Sequence, residues 1–141
     1  MNREYPDRPF VGVGAVIVEN GRVLLIKRGH APSMGEWSIP GGAMEVGETV
    51  REAVVREAGE ETGLIVEAQD LLGVFDRVLR DSSDRVQFHY VLIDFLCTPI
   101  GGQVKAGGDA SEARWFTAQE VSDIPLPEDT AEIVRKALSG Q

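Results

Sequence analysis

Cysteine is nearly missing from this 141-residue chain. Cys97 stands alone, so no disulfide can close within it, and a reducing compartment is the expected setting. Lying in an apolar run, Cys97 reads as a small buried hydrophobe. No apolar stretch approaches the roughly 18 residues that a membrane span needs. The first nine residues carry Arg3, Glu4, Asp7 and Arg8 and offer no signal-peptide core, so a cytoplasmic protein that avoids membranes is expected. Positive charge is scarce too: 14 Lys and Arg face 23 Asp and Glu, for a net charge of −9. That balance excludes a surface built to track the phosphates of a nucleic-acid polymer. An acidic protein still meets an anionic ligand if metal cations stand between the two. Repeats, low-complexity tracts and long linkers are absent, so residues 1–141 are expected to form one domain around one core.

What is present is a sequence of hairpins broken by one acidic helix. Phe10–Glu19 is β-branched and reads as a strand; Asn20-Gly21 is a hairpin turn, and residues 22–27 return. A Gly/Pro-rich stretch, 29–47, is interrupted by a short extended piece at 36–39. Thr49 and Glu52 have capping-box spacing, and Gly63 supplies the left-handed residue that ends the helix they begin. Residues 64–79 and 86–97 read as two strands joined by a polar turn, and a glycine-rich loop, 101–108, leads to a short strand at 113–116. Thr117 and Glu120 repeat the capping-box spacing, and Pro127 opens a last helix over Glu128–Ser139. This order predicts an α+β fold, a mixed sheet flanked by helices.

The helix after Thr49 carries the chemistry. Glu57, Glu60 and Glu61 stand at i, i+3 and i+4, which places three carboxylates on one face about 5–6 Å apart. Two such charges repel by about 3 kcal/mol at an effective dielectric near 20, and the helix dipole adds to the cost. Cations offset that repulsion, and magnesium, a hard ion that takes oxygen ligands, fits best. Upstream, Gly41-Gly42 allows backbone to approach a ligand, and Arg56 is placed to pair with Glu48. The opposite side of the helix presents Val50, Ala53, Val54 and Ala58 for packing on the sheet.

Gly42, Glu48, Arg56, Glu57, Glu60, Glu61, Gly63 and Leu64 together resemble the signature of the Nudix hydrolases. That signature is glycine, five residues, glutamate, seven residues, then Arg-Glu-aliphatic-x-Glu-Glu-x-Gly-aliphatic, here residues 42–64. One departure is Ala58, smaller than the usual aliphatic and away from the ligands. The resemblance implies an α/β/α sandwich in which the box forms a loop-helix-loop. It also implies hydrolysis of a nucleoside diphosphate linked to another moiety. On that basis Glu57, Glu60 and Glu61 would hold Mg2+ (or Mn2+), with a backbone carbonyl of Gly41 or Gly42, and Arg56 with Glu48 would hold the loop. The general base stays open among Glu57, Glu60, Asp109 and Glu112, the last two from a loop where relatives carry an extra carboxylate.

For the substrate, Trp37 either stacks on a base or packs in the core. Arg28, Arg77 and Arg80 either meet phosphate and ribose or are surface charges. His30 and His89 have no metal-ligand spacing between them. Residues 28–42 and 109–116 look most like the small ADP-ribose pyrophosphatase type, with ADP-ribose or a related nucleotide sugar as substrate and a homodimer as an allowed assembly. Two other readings remain: a house-cleaning (deoxy)nucleoside triphosphate pyrophosphatase, and a non-catalytic nucleotide-sugar sensor.

Overall fold

In a computed structural model the described residues are 3–30 and 33–140, so Ala31 and Pro32 of the Gly/Pro-rich stretch lie outside them. Seven strands and three helices follow in the order β1 Phe10–Glu19, β2 Arg22–Arg28, β3 Trp37–Ser38, β4 Gly41–Ala43, α1 Val50–Thr62, β5 Leu64–Arg80, β6 Val86–Gly102, β7 Ala110–Thr117, α2 Ala118–Ser122 and α3 Glu128–Ser139. Asn20 and Gly21 both have positive φ (54° and 74°), the geometry a two-residue hairpin turn requires.

The strands form one mixed sheet in the order β3-β2-β1-β6-β5, with β4 on β1 and β7 on β2. β1 is the centre. One of its edges pairs in parallel with β6, from Phe10↔Tyr90 to Ile17↔Cys97. The other takes β4 at Gly12 to Gly14 and β2 at Ile17 to Glu19. Alternation along β1 divides the core into two layers. Val13, Ala15 and Ile17 face α1 and pack on its Ala53, Val54 and Ala58. Val16 and Val18 face α2 and α3 and pack with Phe116, Ile133 and Val134. The result is the expected sandwich: helix, mixed sheet, helices.

Besides shifts of one residue at the ends of β2, β3 and β5, three larger departures from the sequence reading stand out. β4 falls in what reads as a loop, because glycines carry no side-chain pattern; only its pairing with β1 makes it a strand. β6 continues past Cys97 to Gly102, and beyond Cys97 it no longer pairs with β1. Pro99 therefore sits where its missing N–H costs no ladder bond on that side. β7 starts at Ala110 rather than 113, carried there by pairing with Arg28 across a register shift. Cys97 is fully buried, and burial pushes its thiol up to about 12, as a core residue would be. Among the described residues no helix is long and apolar enough to cross a membrane.

Candidate active site

Helix α1 is set by its caps. Thr49 Oγ1 accepts from the Glu52 N–H at 3.1 Å while Glu52 Oε1 accepts from the Thr49 N–H at 2.9 Å, and Gly63 closes the helix at φ 78°. Burial of Ala53, Val54 and Ala58 against β1 fixes the rotation of the helix. That rotation carries Glu57 and Glu61 against β4.

The contact is close. The Gly41 N–H donates to Glu61 Oε1 at 2.7 Å. A Cβ at Gly42 would stand 2.6 Å from the Glu57 carboxyl carbon, so only glycine lets that carboxylate lie on the strand. Ala15 N–H donates to the Pro40 carbonyl and Met44 N–H to the Val11 carbonyl. By antiparallel alternation Gly42 then faces β1 with its polar groups, and those of Gly41 turn away from it. Of the two carbonyls that a cation would use, Gly41's is the one on the glutamate side.

Burial shapes the charges. Glu61 is 6% exposed, and loss of solvent pushes its carboxyl up to about 7; Glu57 and Asp109 add to the push, while the Gly41 N–H and Arg28 oppose it. Glu57 is also raised, chiefly by burial and against the pull of Arg56. Glu60 is half exposed, 53% of its side chain.

Arg56 is the hub. Its Nε and Nη2 donate to the two Glu48 oxygens at 2.6 and 2.9 Å, its Nη2 to the Ala43 carbonyl at 3.0 Å, and its Nη1 to Glu57 at 2.9 Å and Glu60 at 3.3 Å. These bonds raise the Arg56 pKa, Glu48 most of all, and Arg56 in turn holds the Glu48 carboxyl below its usual range. A planar fork reaches four partners at once; a lysine ammonium does not. Arg56→Lys is accordingly expected to lower the thermal midpoint by several degrees and to reduce turnover by loosening residues 43–48, which paired unfolding and activity measurements would show.

The other predicted residues divide between two places. Arg28 and Asp109 join the glutamates, since both act on the Glu61 carboxylate, and His30 stands 3.6 Å from Asp109. Glu112 is drawn aside: β7 sets it opposite Lys27, and the two charges pair at 3.5 Å. Trp37 lies on the α3 side of the sheet, edge-on to Phe116 at 4.9 Å, with Lys27 and Arg114 over its ring. Arg77 is on that side as well, its Nη2 donating to both oxygens of Asp129 at 2.8 Å. Arg80 lies at the β5–β6 turn against Asp84. The sequence reading passed over Asp94, which is 6% exposed in the middle of β6. Its signal was there: one acid inside the apolar run Val91-Leu-Ile-Asp-Phe-Leu-Cys97.

As to a metal, among the described residues no three acidic, His or Cys side chains converge tightly enough to cage an ion by themselves. The donor set is nonetheless all oxygen. Two of its carboxylates are buried, with pKa values raised chiefly by loss of solvent despite Arg56 and Arg28 nearby, and β4 is pared to glycine beside them. The residues fit a hard divalent cation.

A mixed sheet between helices, with a capped helix laying glutamates on a glycine strand, is the arrangement of one class of hydrolases. Residues 8–137 match the NUDIX domain model, and the chain belongs to the Nudix family. It is 44% identical over 117 residues to an ADP-ribose pyrophosphatase of Methanocaldococcus jannaschii, a match spanning 83% of this chain and 65% of that protein. It is 34% identical over 122 residues to the human 8-oxo-dGDP phosphatase NUDT18, spanning 84% of this chain and 34% of the relative. Among solved structures, a MutT NUDIX hydrolase from Burkholderia pseudomallei superposes with a TM-score of 0.70 at 34% identity, covering 94% of this chain and 98% of that one. The chain thus spans just under two thirds of the length of the ADP-ribose pyrophosphatase it matches.

Proposed function

We propose that this chain is a metal-dependent hydrolase that cleaves the diphosphate linkage of a nucleoside diphosphate derivative, with ADP-ribose or a related nucleotide sugar as substrate. The observation that carries this reading is the pair of buried carboxylates, Glu57 and Glu61, held on the glycines of β4. Glu57, Glu60 and Glu61 would hold Mg2+ or Mn2+, with the Gly41 carbonyl in preference to that of Gly42. A divalent cation at such a site supplies neutralisation of the diphosphate oxygens and acidification of a water.

The chain's own residues do the rest. Arg56 fixes the loop on which β4 continues, and Arg28, near Glu61, faces the phosphates. The proton acceptor comes from Glu57, Glu60, Asp109 or Glu112; the first three share one electrostatic field, and Glu112 pairs with Lys27 at 3.5 Å. The 44% identity to an ADP-ribose pyrophosphatase supports the substrate. The relationship to an 8-oxo-dGDP phosphatase supports the second reading, a house-cleaning nucleotide hydrolase.

Product analysis separates the two. With Mg2+ or Mn2+, ADP-ribose should yield AMP and ribose 5-phosphate. Release of a monophosphate plus pyrophosphate from a triphosphate, or of a monophosphate plus orthophosphate from a nucleoside diphosphate, with ADP-ribose left intact, would establish the second reading instead. Binding without turnover of any diphosphate would return the chain to the sensor reading.

A further inference from the structure

Asp94 is more than nine-tenths buried, yet its carboxylate has no hydrogen-bond partner among the described residues; burial and the charges of Asp129 and Arg77 are what act on it. A buried carboxylate without a donor is expensive, and native structures rarely keep one without a reason. The nearest cation is engaged elsewhere, since Arg77 Nη2 spans both oxygens of Asp129. Among the described residues no fully enclosed side-chain oxygen lacks a partner, so the unpartnered Asp94 carboxylate keeps a small contact with solvent.

The surroundings are apolar and closely packed. Asp94 has a glycine beside it on each neighbouring strand, Gly14 on β1 and Gly73 on β5. Its carboxylate leans over Gly14, where a Cβ would overlap Oδ1, and the tip of Ile39 lies against the same spot at 2.6 Å. The Phe75 ring covers Gly73, 2.6 Å from where a Cβ would be. Ile39, Phe75 and Trp37 are only partly buried on this face, leaving apolar and aromatic edges around the acid. Arg77 and Asp129 stand at the rim, 28% and 30% exposed. A flat neutral heterocycle with an N–H to give suits an acid edged in this way by apolar and aromatic side chains.

We propose that Asp94 is a specificity residue that accepts the exocyclic amino N–H of a purine held between Ile39 and Phe75, with Arg77 donating to the ring atom beside it. The inference rests on the nucleoside diphosphate reading above and extends it to the base. Gly14 is the Cα partner of Gly41, whose N–H binds Glu61. The same strand pair thus carries the phosphate-side acids on one face and the base-side acid on the other. Adenine and guanine both offer an amino group, and hypoxanthine offers none.

The test pairs turnover with binding. Wild type, Asp94→Asn and Asp94→Ala are assayed with Mg2+ on ADP-ribose, a GDP-linked sugar and inosine diphosphate ribose. Binding of AMP, GMP and IMP is measured separately without metal. Wild type should favour an amino purine over hypoxanthine by about tenfold or more, and the ratio AMP to GMP tells which base is read. Asp94→Ala should bring the preference over hypoxanthine to within about twofold, the loss falling on KM rather than kcat. Asp94→Asn should melt no lower than wild type, since no protein donor is lost. An unchanged preference in Asp94→Ala overturns the proposal, as does a destabilised Asp94→Asn that keeps the preference. Equal handling of ADP-ribose and its inosine counterpart by wild type sinks it while leaving the hydrolase reading intact. Asp94-dependent discrimination of AMP from IMP without any diphosphate turnover supports the role of Asp94 and removes the hydrolase.

Discussion

Glu61→Gln is expected to cut metal-dependent turnover of ADP-ribose at least about a hundredfold while the protein stays folded. Glutamine matches glutamate in volume and keeps an oxygen to accept from the Gly41 N–H, so the 2.7 Å bond that seats the side chain on β4 survives. Only the charge is lost. That charge is disfavoured in the metal-free protein by burial and by Glu57 and Asp109, so removing it should leave the thermal midpoint unchanged or raised. Activity and stability therefore move independently in this variant. Near-wild-type turnover from a folded Glu61→Gln protein would overturn the metal assignment.

Metal-free protein is expected to lose stability as pH rises from about 5 to 7, and divalent cation is expected to restore it only toward the upper end. Glu61 is raised from 4.5 to about 7 and Asp94 from 3.8 to about 6, both chiefly by burial. Between those limits the folded chain holds protons that the unfolded chain has released, so unfolding becomes more favourable with each rise in pH. Each of the two rises corresponds to on the order of 3 kcal/mol. Glu57, raised as well, acts in the same direction. Glu48, Asp81 and Glu120 have lowered values and act oppositely, but their losses come as pH falls below their usual range. Thermal unfolding with chelator should thus show its highest midpoint near pH 5. Adding Mg2+ should raise the midpoint clearly at pH 8 and little at pH 5, where the ligand carboxylates hold protons. A midpoint that climbs from pH 5 to 8 in chelator would contradict the buried-acid picture, and the Glu61→Gln, Asp94→Asn double variant should flatten the profile.

Much of the site could be read in the chain because it depends on local spacing. Thr49 with Glu52 caps the helix, Gly63 ends it, and i, i+3, i+4 geometry places Glu57, Glu60 and Glu61 without reference to anything distant. The Arg56–Glu48 pair was legible for the same reason, across a short loop. What was hidden depends on partners far along the chain. Gly41 and Gly42 look like loop until β1 pairs with them. Asp109 and Glu112 are near neighbours in sequence, yet the β7 register sends Glu112 to Lys27 and leaves Asp109 within the field of the glutamates. Asp94 hid because strand alternation does not say which face of a sheet is closed by α3. Trp37 and Arg77, chosen as substrate residues, fall on that same α3 face, where only the tertiary fold sets them near Asp94.

The parallel pairing of β1 with β6 has a consequence for how the molecule is made. Phe10 finds Tyr90, so the central strand waits for one whose synthesis starts only at Val86. A nascent chain halted before that point already carries every glutamate of the box, yet its hydrophobic middle strand presents a bare edge. Contacts so far apart in sequence slow folding, and an unpaired Val- and Ile-rich edge invites association with other chains. Refolding yield should therefore fall steeply with protein concentration, and in a cell the window before β6 emerges is when a chaperone has most to protect.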